Sequence, residues 1–385
     1  MQLQVIKDDI IDGLQKAANI LPMKTGAAYL RTIWLRTNSG RLEILATDSS
    51  FEFTGSYPAN VIKPGSVGVQ GKNFSELLRR LPSGDITLRQ EQEGAPLFIE
   101  QGSKKYKLPT NDASWFQPFT PFPQEEAVLW SGDFLKELIE RIAFCTSDEE
   151  SMMAMSCINF ARLGHDSIEV CGLNGHQFAL VKFKNPELHT LIPENGFLIS
   201  KKHLLEIRRL ISSDEIEITL KDKKLFIRSD QKKEVLSVPL SSYIFPDHKR
   251  ILSQYEDQFV SSMTIDRQEL INCLNRILLF NTVANKATIF QLEPETIAIS
   301  SQGQDTGEAS EQIAVQYKGT ISSIALNTKT VLDILSHFAC KEVIFNFSGE
   351  LTPCQITAKE EANYVVVTMP VEIIEETLYA TEEEK

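Results

Sequence analysis

No apolar run in this chain of 385 residues approaches the roughly 20 that a membrane span needs. The stretch MQLQVIKDDIIDGL has no basic segment leading into an uninterrupted apolar core, which argues against a signal peptide. The six cysteines (145, 157, 171, 273, 340, 354) are scattered with no CxxC pair, so buried thiols in a reducing cytoplasm are expected, not disulfides or metal ligands. The six histidines (165, 176, 189, 203, 248, 337) show no ligand spacing. HExxH, GxSxG and GxGxxG are all missing. GSVGVQGKN fails as a phosphate loop: five residues separate Gly65 from Gly71, and Asn73 stands where a magnesium-binding hydroxyl is needed. Single Asp, Glu and Ser residues form no local acid–base constellation, so any enzymatic site must be assembled from distant residues.

What is present is an ordinary globular composition, 42% hydrophobic and 24% charged, long enough for two or three domains. The formal net charge of −13 argues on its face against a polyanion partner. Distribution qualifies that sum. Acidic residues gather in the tail (Glu375, Glu376, Glu382, Glu383, Glu384) and in loops such as the one holding Glu91 and Glu93, while certain helices carry basic pairs.

Those helices belong to a repeat. GFLISKKHLLEIRRLISSDEIEI (196–218) reads as a short strand, a Ser200 cap, an amphipathic helix and another strand. SVGVQGKNFSELLRRLPSGDITL and SIALNTKTVLDILSHFACKEVIF spell the same order, with Arg79-Arg80 lying 129 residues before Arg208-Arg209 and Ser336-His337 lying 128 after. Each third also opens with a strand and an apolar-striped helix: Ile10, Ile11, Leu14, Ala18 and Leu21; then Phe134, Leu135, Leu138 and Ile142, capped at Ser131 or Asp133; then Leu270, Leu274, Ile277 and Leu278, capped near Asp266. Alternating strands follow each helix, so a unit reads as a doubled βαβββ motif, two helices beside antiparallel sheets. Proline-containing polar segments at 118–127 and 245–258 separate the units. The expected domains are 1–122, 123–252 and 253–385, the last with an acidic extension at 374–385.

A basic pair on a single helix ordinarily marks a solvated face. Sequence-related helices carrying Lys201, Lys202, Arg208, Arg209, Arg79 and Arg80 on equivalent surfaces would instead sum their fields and hold phosphates without reading bases. The third helix weakens the pattern, since Ser336-His337 replaces the arginines and only Lys329 and Lys341 flank it. In NGHQFALVKF, Asn174-Gly175 marks a tight turn and His176 a polar residue beside it. YVVVTMPVEI reads as a strand ending at Met369-Pro370, since proline removes a ladder donor.

Together these pieces resemble the bacterial sliding clamps, the β subunits of DNA polymerase III. The resemblance spans the threefold repeat and rests on LNGHQFAL, FPDHKRIL (245–252), LNTKTVLDIL (326–335) and YVVVTMPVEI, in that order. It implies an α+β fold of three repeated clamp domains, closing head to tail as a homodimeric ring around double-stranded DNA, without sequence preference, cofactor or catalysis. It further implies a DNA-facing set of Lys24, Arg79, Arg80, Lys201, Lys202, Arg208 and Arg209. A cleft for partner peptides would comprise Met155, Leu173, Gly175, His176, Phe178, Pro246, Arg250, Ile251, Asn327, Leu351, Val367, Met369 and Pro370. The ring interface would pair Tyr106 and Leu108 with Ile277 and Leu278. Implied partners are the replicative polymerase, the clamp loader and other proteins bearing a clamp-binding peptide, in the cytoplasm and away from membranes. The chain departs from the family pattern at Asn174, Gln177, Thr330 and Glu149, and in the tail, which is expected to modulate peptide access. Two readings of other classes stand beside this one: an α+β repeat hydrolase or transferase with a site between units, and a structural repeat protein without DNA.

Overall fold

The computed structural model describes residues 1–22, 27–124, 127–229, 231–253, 258–282, 285–303 and 306–372. Its helices are α1 (Lys7–Ile20), α2 (Gly71–Arg80), α3 (Gly132–Ala143), α4 (Pro186–Leu191), α5 (Lys201–Leu210), α6 (His248–Ser253), α7 (Arg267–Ile277) and α8 (Thr328–Ser336). Several caps follow from the sequence. Ser131 Oγ accepts from Phe134 N at 3.0 Å, Ser200 Oγ from His203 N at 3.3 Å, and Asp266 Oδ1 from Glu269 N at 2.9 Å. Among the described residues, no helix is long and apolar enough to cross a membrane. All six cysteines are buried free thiols.

The chain divides into two compact units, 1–139 with 185–242, and 140–184 with 243–385. In the first, a five-stranded sheet runs in the order Asn60–Lys63, Gln2–Ile6, Asp85–Arg89, Leu97–Gln101, Lys104–Leu108. A nine-stranded sheet contains Thr32–Asn38, Arg41–Thr47 and Glu52–Pro58, and continues through Glu234–Pro239 into Lys224–Ser229 and Glu215–Lys221. The seam is antiparallel, with Val235 opposite Thr54 and Leu236 opposite Phe53. One sheet thus carries strands of the first and second repeats. The sequence stretch RLEILATDSSFEFTGSY breaks into two strands because the Asp48 carboxylate accepts from Ser50 N at 2.9 Å and Phe51 N at 2.7 Å, turning the chain.

In the second unit a sheet runs through Cys157–Leu163, Ser167–Leu173, Gln177–Lys184, Tyr364–Thr368, Cys354–Thr357, Glu342–Phe347, Ser261–Asp266 and Gln316–Gly319. Here the second and third repeats meet by pairing Gln177–Lys184 with Tyr364–Thr368, which sets Phe178 opposite Val367 and Leu180 opposite Val365. A four-stranded sheet orders Gly307–Ala314, Thr296–Gly303, Ala287–Leu292 and Ser323–Asn327.

The seam of the first unit is locked by a buried ion pair. Lys16 on α1 is only 8% exposed and reaches Glu234 Oε2 at 2.7 Å, Ser212 Oγ at 2.8 Å and Asp12 at 3.0 Å. Tyr57 Oη donates to the other Glu234 oxygen at 3.0 Å. Gly13 and Gly55 make room for that phenol, since a Cβ at either would stand 1.6 Å or 2.4 Å from Tyr57 Oη. Burial disfavours the Lys16 ammonium, yet the Glu234 bond and charge, helped by Asp12, hold its pKa above the ordinary 10.5. With the folded value raised, this contribution is complete below the unfolded value and lost only as pH climbs through the folded one. Glu234→Leu removes the buried partner of Lys16 and leaves it only the exposed Asp12 and the Ser212 hydroxyl, so it is expected to cost about 3 kcal/mol in urea unfolding, while Lys16→Met with Glu234→Leu recovers most of it. An unchanged urea midpoint in the single variant would contradict this account.

Candidate functional site

The hairpin Ser167–Leu173 to Gln177–Lys184 turns on Asn174, whose Oδ1 accepts from His176 N at 3.0 Å and Gln177 N at 2.8 Å. Gly175 takes φ 91°, a conformation that favours glycine. Because side chains alternate along a strand, Cys171 and Leu173 share a face with their partners Leu180 and Phe178, and Val365 and Val367 extend it. Cys171, Leu173, Phe178 and Leu180 form a buried cluster, with Met155, Phe245, Val365 and Val367 packed on it but only half-buried. The result is an apolar surface of buried residues edged by half-buried ones, the composition an anchor site for an apolar side chain needs.

Four of the expected cleft residues, Met155, Leu173, Phe178 and Val367, therefore meet in one cluster. Gly175 and His176 form the hairpin tip, and Met369 N donates to His176 O at 3.0 Å. Val371 N donates to Ala325 O at 2.9 Å, which ties the segment bearing Pro370 to the strand ending at Asn327. Asn327 caps α8 by accepting from Thr330 N at 3.1 Å, so Thr330 serves the helix start through its backbone. Pro246 follows Phe245 and its carbonyl accepts from His248 N at 2.8 Å. Arg250 is exposed on α6, and Ile251 lies on the same helix, its side chain outside the described residues. Leu351 is exposed between Glu342–Phe347 and Cys354–Thr357. Gln177 Oε1 accepts from Asn174 Nδ2 at 3.3 Å, a contact within the turn. Glu149 N donates to Ser147 Oγ at 3.1 Å.

Sequence reasoning missed Cys171, Leu180, Val365 and Phe245. Alternation on the two strands carried a signal for the first three; Phe245 was marked only by its proline neighbour. It also missed the buried contact of His248 Nε2 with Glu169 Oε1 at 2.6 Å, since 79 positions separate the two. Burial works against the Glu169 carboxylate, but the bond and charge of His248 hold it below the usual carboxylate range. The Cys171 thiol is pushed up by burial and by the neighbouring Glu169 charge, so it is inert there.

In the first unit α2 and α5 bury Phe74 and Leu78, and Leu204, Ile207 and Leu210, and turn their arginines outward. Each pair sits in the last helical turn, where cations complement the helix dipole. Carboxylates on the same helices cover them. Glu76 accepts from Arg79 at 2.9 and 2.8 Å and from Arg80 at 2.7 Å, and these bonds, Arg79 first, bring its carboxyl down to about 2. Arg209 pairs with Glu206, and Lys202 with Asp48 at 3.2 Å. Lys201 and Arg208 lie on the same helix α5, whereas Lys24 falls outside the described residues, as does the tail 374–385. In the second unit His337 stacks on Phe144 with centroids 4.1 Å apart and planes 12° apart. Burial lowers its pKa, and at this position the third helix offers ring packing where the others offer arginine.

Tyr106 and Leu108 are half-buried on Lys104–Leu108, the last strand of the five-stranded sheet. Ile277 is 0% exposed, continuing the buried stripe of Leu270 and Leu274. Leu278 is half-buried, and the outward residue is Leu279, 74% exposed. Gly307–Ala314 is the last strand of the four-stranded sheet.

Glu76→Gln removes the shield from two arginines at once and is expected to tighten binding to a short duplex by about threefold at low salt, with a steeper salt dependence. Fluorescence anisotropy checks this, and weaker binding by the variant would contradict it.

Family models for the N-terminal, central and C-terminal domains of the DNA polymerase III beta subunit match residues 1–119, 130–242 and 256–372. The beta sliding clamp of Caulobacter vibrioides is 22% identical over 377 residues, covering 97% of this chain and 100% of that protein. The DNA polymerase III beta subunit of Thermotoga maritima superposes with a TM-score of 0.85 at 22% identity, and pol III beta of Caulobacter crescentus with 0.89 at 21%, each covering 97% of this chain and 100% of the other. With all three domain models matched in order, the chain belongs to the DNA polymerase III beta subunit family, the bacterial sliding clamps, and is a non-catalytic processivity factor of DNA replication.

Proposed function

We propose that two copies of the chain close head to tail into a ring around duplex DNA, each contributing domains 1–122, 123–252 and 253–385. Arg79, Arg80, Lys201, Lys202, Arg208 and Arg209, with Lys24, face the DNA, and their carboxylate partners exchange with phosphates as the ring slides. The polymerase, the clamp loader and other partners insert apolar peptide anchors into the Met155–Leu173–Phe178–Val367 pocket, in the cytoplasm. A repeat enzyme is not favoured, since the family is non-catalytic.

The observation that carries the ring is a pair of open sheet edges of opposite charge. Lys104–Leu108 presents the exposed Lys104, Lys105 and Lys107. Gly307–Ala314 presents Glu308, exposed, and Glu311, which is bound to Arg276 at 2.8 and 2.6 Å. An open edge invites another strand, and unlike edges favour a head-to-tail joint, which closes when the rotation returns on itself. Tyr106 and Leu108 supply apolar contact from one side, and Leu278 and Leu279 from the other.

Sedimentation equilibrium tests this. The unmodified chain is expected at twice its own mass, and Lys104→Glu with Lys105→Glu and Lys107→Glu at the single-chain mass. In an equal mixture of that variant with a Glu308→Lys, Glu311→Lys variant, both joints of a mixed pair are compatible, and twice the single-chain mass is expected to return. A single-chain mass for the unmodified protein, or no response to the triple charge reversal, would overturn the ring geometry.

A further inference from the structure

The peptide cleft rests on a charged pair that its apolar character gives no reason to expect. Glu169 shares the strand Ser167–Leu173 with Cys171 and Leu173 and, two residues apart from each in turn, points to the same face. It is 3% exposed, and an unpaired carboxylate so placed is strongly unfavourable. Its partner comes from α6: His248, also buried, bonds it at 2.6 Å. The same imidazole stacks on Phe178 at 5.6 Å and 22°, and meets Phe245 edge-on at 5.9 Å and 68°. One ring thus touches the floor of the pocket, its half-buried wall and the buried carboxylate. The other charges near the carboxylate are Lys182, opposite it on the next strand, and Lys249 beside His248; the Cys171 thiol also faces it, bonded by Asn159 Nδ2 at 3.9 Å.

We propose that the His248–Glu169 hydrogen bond is the positioning element of the peptide cleft, fixing α6 and Phe245 against Phe178 at the separation an apolar anchor requires. This rests on the cleft reading of the same surface. His248 acts through Phe178 and Phe245 and does not itself grip the peptide. A directional bond to a buried charge sets the ring's place and tilt, whereas packing alone tolerates several rotamers. The departure from a wholly apolar floor then makes the pocket's width depend on one donor.

The test compares two side chains of similar bulk. His248→Gln keeps an N–H donor for Glu169, and His248→Met removes it. Affinity for a fluorescein-labelled peptide with leucine and phenylalanine anchors is measured by anisotropy on the full chain, beside thermal melts. Gln is expected within about threefold of the unmodified protein and Met weaker by about tenfold, the scale of one hydrogen bond to a charged group. Equal affinities for Gln and Met would overturn the proposal and leave His248 a packing residue. Should His248→Met fail to fold, His248→Met with Glu169→Leu removes the stranded charge: weak binding by that folded variant supports the positioning role, and full affinity overturns it. Val367→Lys in the unmodified background separates the two readings. It is expected to abolish binding, and survival of binding there would place the peptide elsewhere and sink the cleft reading itself.

Discussion

Two antiparallel seams organise this chain. Glu52–Pro58 pairs with Glu234–Pro239 in one unit, and Gln177–Lys184 with Tyr364–Thr368 in the other. Backbone hydrogen bonds there join segments that lie up to 191 residues apart in sequence, as Gln177 opposite Thr368 illustrates. What each seam brings together decides what that unit does. The first draws Glu234 onto Lys16 and Tyr57, at the base of α1. The second lays Val365 and Val367 beside Leu180 and Phe178, completing a surface that the hairpin alone would leave half-formed. A repeat protein needs such shared sheets because a single unit cannot bury all its apolar faces.

Charge is spent locally in this molecule. Glu76 lies within three or four residues of Arg79 and Arg80, and Glu206 within three of Arg209, so part of the positive charge on α2 and α5 is offset on the helices themselves. Exposed pairs of this kind contribute little to stability and exchange readily. Exchangeable pairs of this kind suit the proposed sliding along DNA and are compatible with a net charge of −13.

Much of this was legible in the sequence because it is local. The stripes of α1, α3 and α7, the caps at Ser131, Ser200 and Asp266, and the Asn174-Gly175 turn all follow from spacing and side-chain chemistry. The spread of the cleft residues was not; their assembly came through family resemblance, and Phe245 and the His248–Glu169 pair escaped it. Long-range pairing leaves no trace in a single strand's alternation. Ile277, named for the ring interface by resemblance, lies on the buried stripe, and the short helical turn Leu278–Phe280 beside it carries the exposed Leu279.

The central claim is topological: DNA is held by closure around it, not by tight contacts. The most direct measurement loads the protein onto nicked circular duplex with a matching clamp loader and follows the bound fraction before and after the circle is cut. The account predicts long retention on the circle and rapid loss from the linear form. Equal retention on both forms would contradict it.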